Sequence, residues 1–298
     1  MRDSDSVQRG RRAVLRGCGA FALALPLLAV SGGTAAGAVR GRGARFRVLV
    51  FSRTTGFRHA SIPDGIAAIE ELGAEHGFGV DATEDPEVFS QRQLRDYAAV
   101  IFLNTTGTVL DTEGQRGALE SYIRAGGGYV GVHSASDTEY EWPFYERLVG
   151  AYFHTHPVQQ FARFDNEVPD HPATGHLPER FTVFDEFYSF RHNPRPDVRV
   201  LLTIDERTYL PFPNTSHLPF DADGEFNEDF LPGESGYMGD HPMSWCHTNL
   251  GGPAFYTALG HEKYLYRKEW FRGHLLGGIL VAASQVPADC ATGRGQTT

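Results

Sequence analysis

Residues 45–133 alternate between short apolar runs and amphipathic stretches, and few folds accommodate that rhythm. The run RFRVLVFS at 45–52 is almost unbroken, as expected of a strand buried on both faces. Further strands are expected at 80–83, 98–104 and 129–133. Between the first two, Ser61 and Pro63 open a helix with Ile66, Ile69 and Leu72 on one face, and Gly77 stops it. A short helix fits 90–96. Thr112 and Gln115 form a capping box for a helix through Ile123, ended by Gly126, Gly127 and Gly128. Strand and helix in alternation predict an α/β fold with a doubly wound, mainly parallel sheet flanked by helices. The second half adds a helix at 142–149 and strands at 161–164, 181–190, 198–204, 243–246 and 254–258. A closing helix at 269–283 carries Phe271, Leu275, Ile279 and Ala282 on one side. The segment 207–240 is rich in Pro, Gly, Asn and Asp and reads as a functional or mobile loop.

The ends read differently. Arg11, Arg12 and Arg16 precede an apolar run at 17–30, and Ala36-Gly37-Ala38 supplies small residues for cleavage. The run is too short for a membrane span. Residues 1–38 are therefore expected to be a twin-arginine-type signal peptide, with export from the cytoplasm. Residues 39–44 then form a linker, 45–286 the globular domain and 287–298 a flexible tail. The whole chain of 298 residues carries a formal charge of −10. The leader holds five Arg and two Asp, so the mature charge is −10 − (5 − 2) = −13. Such an acidic surface disfavours nucleic acid and anionic lipid and leaves neutral solutes such as sugars as partners. Cys246 and Cys290 are the two cysteines beyond the leader. Their spacing alone does not establish whether they form a bridge.

In an open parallel sheet, ligands bind beyond the carboxyl ends of the strands. That rule points to the loops 54–59, 104–107 and 133–138, dense in hydroxyl, amide and imidazole groups. His59, Asn104 and Thr105 are candidate substrate contacts. For Ser134, Ser136 and Thr138, helix capping is the competing role. The stretch GGYVGVHSA at 127–135 has the form of a nucleophile elbow, similar to that of class I glutamine amidotransferases. The turn residue there is a cysteine; here it is His133. An imidazole cannot perform thiolate acyl transfer, but it serves as a base or a metal ligand. Cys246 lies in an expected strand without an elbow, so a cysteine amidase is excluded. Downstream, His154, His156, Asp185, Glu186, Asp240, His241, His247 and His261 recur without tight metal-ligand spacing.

These motifs together resemble the ThuA-like family, associated with trehalose utilisation. The resemblance rests on 57–62 (FRHASI), 137–143 (DTEYEWP), 153–157 (FHTHP), 185–188 (DEFY), 240–242 (DHP) with Trp245 and His247, and 255–261 (FYTALGH). It implies a glutamine amidotransferase-like fold and a role in carbohydrate catabolism on keto-sugars supplied by a partner oxidoreductase. One departure stands out: Pro253 follows Gly251-Gly252 where the family often has arginine. If that arginine contacts substrate, the contact is lost here.

Two functions are consistent with these residues. The first is an exported enzyme that hydrolyses or eliminates a glycosidic bond of a keto-disaccharide or glycoside. His133, Asp137 and Glu186 are then the acid–base residues. His156, His247 and His261 complete the cluster or ligate a divalent metal such as zinc. The second is a non-catalytic carbohydrate-binding protein in which Tyr140, Trp142, Tyr188 and Trp245 stack on sugar rings. Core packing is the competing role for Trp142 and Trp245. His133 is expected to lie in one pocket with His156, Glu186, His247 and His261.

Overall fold

The computed structural model describes residues 44–211 and 236–291. The leader, residues 39–43 of the linker, most of the expected loop and residues 292–298 lie outside the described residues.

Among the described residues, eleven strands and five α-helices follow in order: β1 (Arg47–Phe51), α1 (Ile62–His76), β2 (Gly79–Thr83), α2 (Gln91–Leu94), β3 (Ala99–Leu103), α3 (Glu113–Arg124), β4 (Gly128–Val132), α4 (Pro143–Val149), β5 (Phe153–Thr155), β6 (Gln160–Asn166), β7 (Arg180–Asp185), β8 (Ser189–Phe190), β9 (Arg199–Ile204), β10 (Pro242–His247), β11 (Ala254–Thr257) and α5 (Glu269–Ala282). Nine strands form one sheet in the order β2-β1-β3-β4-β11-β10-β9-β6-β7. The pairings from β2 to β11 are parallel. From β11 onward every pairing is antiparallel. The expected α/β sheet is thus present, with a parallel half and an antiparallel extension.

The apolar runs became strands because both of their faces are covered. Every residue of β3 and β4 is buried, Gly128 and Gly131 included. Helices α1 and α5 pack against each other and against the parallel half. The capping box forms as expected, with Thr112 Oγ1 accepting from Gln115 N at 3.2 Å. Gly77 takes the left-handed conformation that ends α1, at φ 77°. Ser61 departs from expectation. Its hydroxyl makes no cap bond and instead donates to Gly260 O at 3.0 Å, tying the loop after β1 to the loop after β11.

Two corrections concern chain continuity. The expected strand 181–190 is broken into β7 and β8 by Glu186, Phe187 and Tyr188. The Asp185 carboxylate accepts the backbone N–H groups of Gly260 (2.8 Å) and Glu262 (2.9 Å), which holds the chain at the break. The expected flexible tail is anchored at Cys290, which is buried and disulfide-bonded to Cys246 across a Cα–Cα distance of 5.3 Å. The pairing that spacing left open is thus made, because α5 returns the chain to β10. No helix among the described residues is long and apolar enough to cross a membrane.

Candidate active site

Strand direction decides which side chains meet. β1, β3, β4 and β11 run parallel, and the four successive antiparallel pairings from β11 to β7 give β9, after two reversals, and β7, after four, that same sense. Their carboxyl ends carry His59, Asn104, His133, His261 and Glu186, while β6 starts from that end and places His156 and Gln159 there.

His133 is the first residue beyond β4, with φ 49°. A non-glycine residue in the left-handed region costs about 1–3 kcal/mol, which marks the sharp turn expected of an elbow. Its ring is fully buried, and Nδ1 lies 2.8 Å from Ala258 O. A carbonyl only accepts, so Nδ1 carries the proton and Nε2 presents a lone pair. That Nε2 lacks a hydrogen-bond partner.

Glu186 sits at the centre. Its carboxylate lies 3.5 Å from His133 Nε2, 3.1 Å from His156 Nδ1 and 3.1 Å from His261 Nδ1. Gln159 Nε2 donates to Glu186 Oε1 at 3.1 Å and also lies 3.1 Å from His261 Nε2. Burial pushes the Glu186 pKa up, but the imidazoles of His133 and His261 outweigh it and hold the carboxyl below its usual range. Burial disfavours the charged His261, and Glu186 overcomes it and raises the pKa. His59 is pushed down to about 2 by burial, then by His133 and His261, and stays neutral. Its Nδ1 lies 3.2 Å from Ser134 Oγ, and its ring meets those of His133 and His261 edge-on at 4.7 and 5.1 Å. Ligand-capable atoms of His59, His133, Glu186 and His261 all lie within 4.8 Å of one another.

The mouth of this cluster is partly open. His156 has a 41% exposed side chain. Phe57 is 65% exposed and packs its ring against His59 at 4.8 Å. Tyr188 stacks over His133 at 4.2 Å. Burial raises the Asp137 pKa, while the Tyr140 hydroxyl donates to it at 2.6 Å and works against that rise. Asp185 is pushed up to about 6 by burial, against its backbone N–H partners.

Five expected site residues do not join the cluster. β10 runs antiparallel to β11, so His247 pairs with Ala254 at the amino end of the parallel strands, opposite His133. Its Nε2 bonds Leu148 O at 2.9 Å and its Nδ1 accepts from Asn249 N. Trp245 is fully buried, with Nε1 donating to Val149 O, so it packs in the core and offers no sugar-binding face. Asn104 and Thr105 lie at the right sheet end but are fully buried. Asn104 Nδ2 donates to Ser61 Oγ and Gly260 O, and the Thr105 hydroxyl pairs with that of Thr138. Both hold the loops together. Trp142 is half-buried against Phe144 and Tyr145. Pro253 opens β11 at the amino end, where its carbonyl accepts Tyr129 N. Position 253 therefore lies at the sheet end remote from the cluster. Gln159 was not singled out from the sequence, since nothing local distinguishes it from Gln160.

An α/β sheet with an imidazole–carboxylate cluster in place of an elbow cysteine defines the class. Residues 47–282 match the ThuA family model, described as trehalose utilisation, and the chain belongs to that family. Its fold is a mixed α/β arrangement built on a large sheet, parallel in one half and flanked by helices. A ThuA-like protein of Bacteroides uniformis is 23% identical at TM-score 0.65, covering 83% of this chain and 94% of its own. One of Parabacteroides merdae is 18% identical at TM-score 0.59, covering 83% and 97%. A cytoplasmic protein of Salmonella typhimurium shares the fold at 10% identity and TM-score 0.54, covering 80% and 99%. No curated protein matches the chain in sequence.

Proposed function

We propose that this protein is a carbohydrate-cleaving enzyme that breaks a glycosidic bond of an oxidised, keto-bearing sugar by imidazole–carboxylate acid–base chemistry. The observation that carries the reading is the Glu186 carboxylate at 3.1 Å from the Nδ1 of a half-exposed His156. His156 Nδ1 also lies 2.9 Å from Pro157 O. Both neighbours are acceptors, so Nδ1 holds the proton and Nε2 is the basic atom. A partly solvated imidazole oriented by a buried carboxylate is a competent general base. It suits a substrate C–H acidified by an adjacent carbonyl. His156 takes that proton, the electron pair forms an enolate, and the enolate expels the β-oxygen of the glycosidic bond, which departs with a proton. Asp137, whose pKa is raised by burial, stands near His133 as a proton donor. Phe57 offers the exposed aromatic face that a sugar ring needs.

A sugar oxidoreductase is the partner class that supplies such a substrate. Work outside the cytoplasm, after export by the twin-arginine-type leader, fits the Cys246–Cys290 bridge, since disulfides persist in oxidising compartments. The binding-only alternative has less support, because Trp245 is enclosed in the core.

The test is turnover of glycosides and their keto derivatives, followed by nuclear magnetic resonance of the released aglycone. The wild type should cleave the keto form. His156→Ala and Glu186→Gln should each lower kcat by about 100-fold or more, the scale of general-base loss. Binding of sugar without turnover of any glycoside would leave the protein a binder and reject the enzymatic reading.

A further inference from the structure

We propose that His59, His133, His261 and Glu186 form a mononuclear site for a divalent transition metal of the zinc class. The four donors come from the loops after β1, β4, β11 and β7, and their ligand-capable atoms lie within 4.8 Å of one another. A tetrahedral ion holding ligands at about 2.0–2.1 Å separates them by about 3.3–3.4 Å. Glu186 Oε2 lies 3.5 Å from His133 Nε2 and 3.1 Å from His261 Nδ1, on either side of that spacing.

A hydrogen bond does not account for these contacts. His133 Nε2 and His261 Nδ1 are both buried, and neither is aligned with a hydrogen-bond partner. Two buried ring nitrogens left unpaired beside a carboxylate are costly unless something charged sits between them. A shared proton serves one of the two; a cation serves both. Imidazole and carboxylate are the donor types that zinc and its neighbours take.

The surroundings orient the donors as metal sites require. The His133 Nδ1–H donates to Ala258 O, leaving Nε2 to face Glu186. Ser134 Oγ lies 3.2 Å from His59 Nδ1. Gln159 Nε2 donates to Glu186 Oε1 and fixes the carboxylate. His156, which touches the other carboxylate oxygen, lies outside the four and remains available as the base.

The experiment is titration of chelator-treated, dialysed protein with Zn²⁺ by calorimetry and with Co²⁺ by visible absorption. One equivalent should bind with submicromolar Kd, and Co²⁺ should give d–d bands of a nitrogen- and oxygen-ligated ion. His133→Ala and Glu186→Gln should weaken Zn²⁺ binding by about 100-fold or more. His154→Ala, an exposed histidine outside the cluster, should leave it unchanged. Absorption fine structure on the Zn²⁺-loaded wild type should report imidazole scattering, and this arm needs no variant to fold. Absence of stoichiometric binding by folded wild type, or full affinity in both His133→Ala and Glu186→Gln, overturns the proposal. None of these readouts requires turnover, so the metal site stands or falls separately from the catalytic reading.

Discussion

Buried histidines in this protein fall into two chemical kinds, and the difference lies in their second nitrogen. His247 and His274 have both ring nitrogens engaged. His274 Nδ1 donates to Ala173 O at 2.8 Å and Nε2 faces Ser244 Oγ at 3.3 Å. His133 has one nitrogen fixed by a carbonyl and the other bare. Residue type alone does not separate these cases, which is why His247 looked like a cluster member in the sequence. The satisfied kind has its own consequence. Burial pushes the His274 pKa down to about 3. In the unfolded chain a histidine titrates near 6.5. Below that pH the unfolded state takes a proton that the native state refuses, so stability is full above about 6.5 and is lost as pH falls toward 3. The slope from one such group approaches about 1.4 kcal/mol per pH unit. Urea midpoints of wild type and His274→Gln, compared between pH 6 and 4, should show a shallower loss for the variant by about that slope. Parallel curves would mean that His274 charges freely in the native state.

Glycine carries opposite meanings in different elements. At Gly128, which starts β4, an added Cβ would collide with the Ala282 carbonyl at the end of α5 and crowd Ala98 O. The colliding atoms are backbone, so neither side yields easily. Gly117 lies on the exposed side of α3 with nothing within 4 Å of an added Cβ. Gly128→Ala should therefore cost about 3 kcal/mol. Gly117→Ala should stabilise by about 0.5–1 kcal/mol through helix propensity and a less flexible unfolded chain. Urea denaturation with an unchanged m value distinguishes the two; equal effects would refute the packing account. The elements themselves were largely legible in the sequence. Runs such as 98–104 and the Thr112–Gln115 box state their structure locally. Strand direction in the second half was not legible, because it depends on which neighbour each strand pairs with. That gap misplaced His247 and hid Gln159. The turn at His133, by contrast, was written in the glycine-rich approach and the apolar strand before it.

At the scale of the whole molecule, the site and the covalent tie occupy opposite ends of the sheet. Cys246 pairs in register with Phe255 near the amino end of β11, and the cluster lies past its carboxyl end. The bridge spans 44 residues and encloses β11 and α5. Closing a loop of that size removes unfolded-state entropy worth about 2–4 kcal/mol. The ordered tail up to residue 291 depends on it, since Cys290 is the buried anchor there. The Cys246→Ala, Cys290→Ala double variant should lose about 3 kcal/mol, equivalent to roughly 6–12 °C in Tm for a chain of this size. Its turnover and its metal stoichiometry should remain those of wild type, because His133, Glu186 and His261 are held by Ala258, Gln159 and the Asp185 loop contacts, none of which involves the bridge. Calorimetric melting beside activity at a temperature where both proteins are folded is the measurement. An unchanged Tm would show that the cross-link does not stabilise the fold. A folded double variant without activity would show that the two ends of the sheet are coupled, and would bring the cysteines back into the chemistry from which the sequence excluded them.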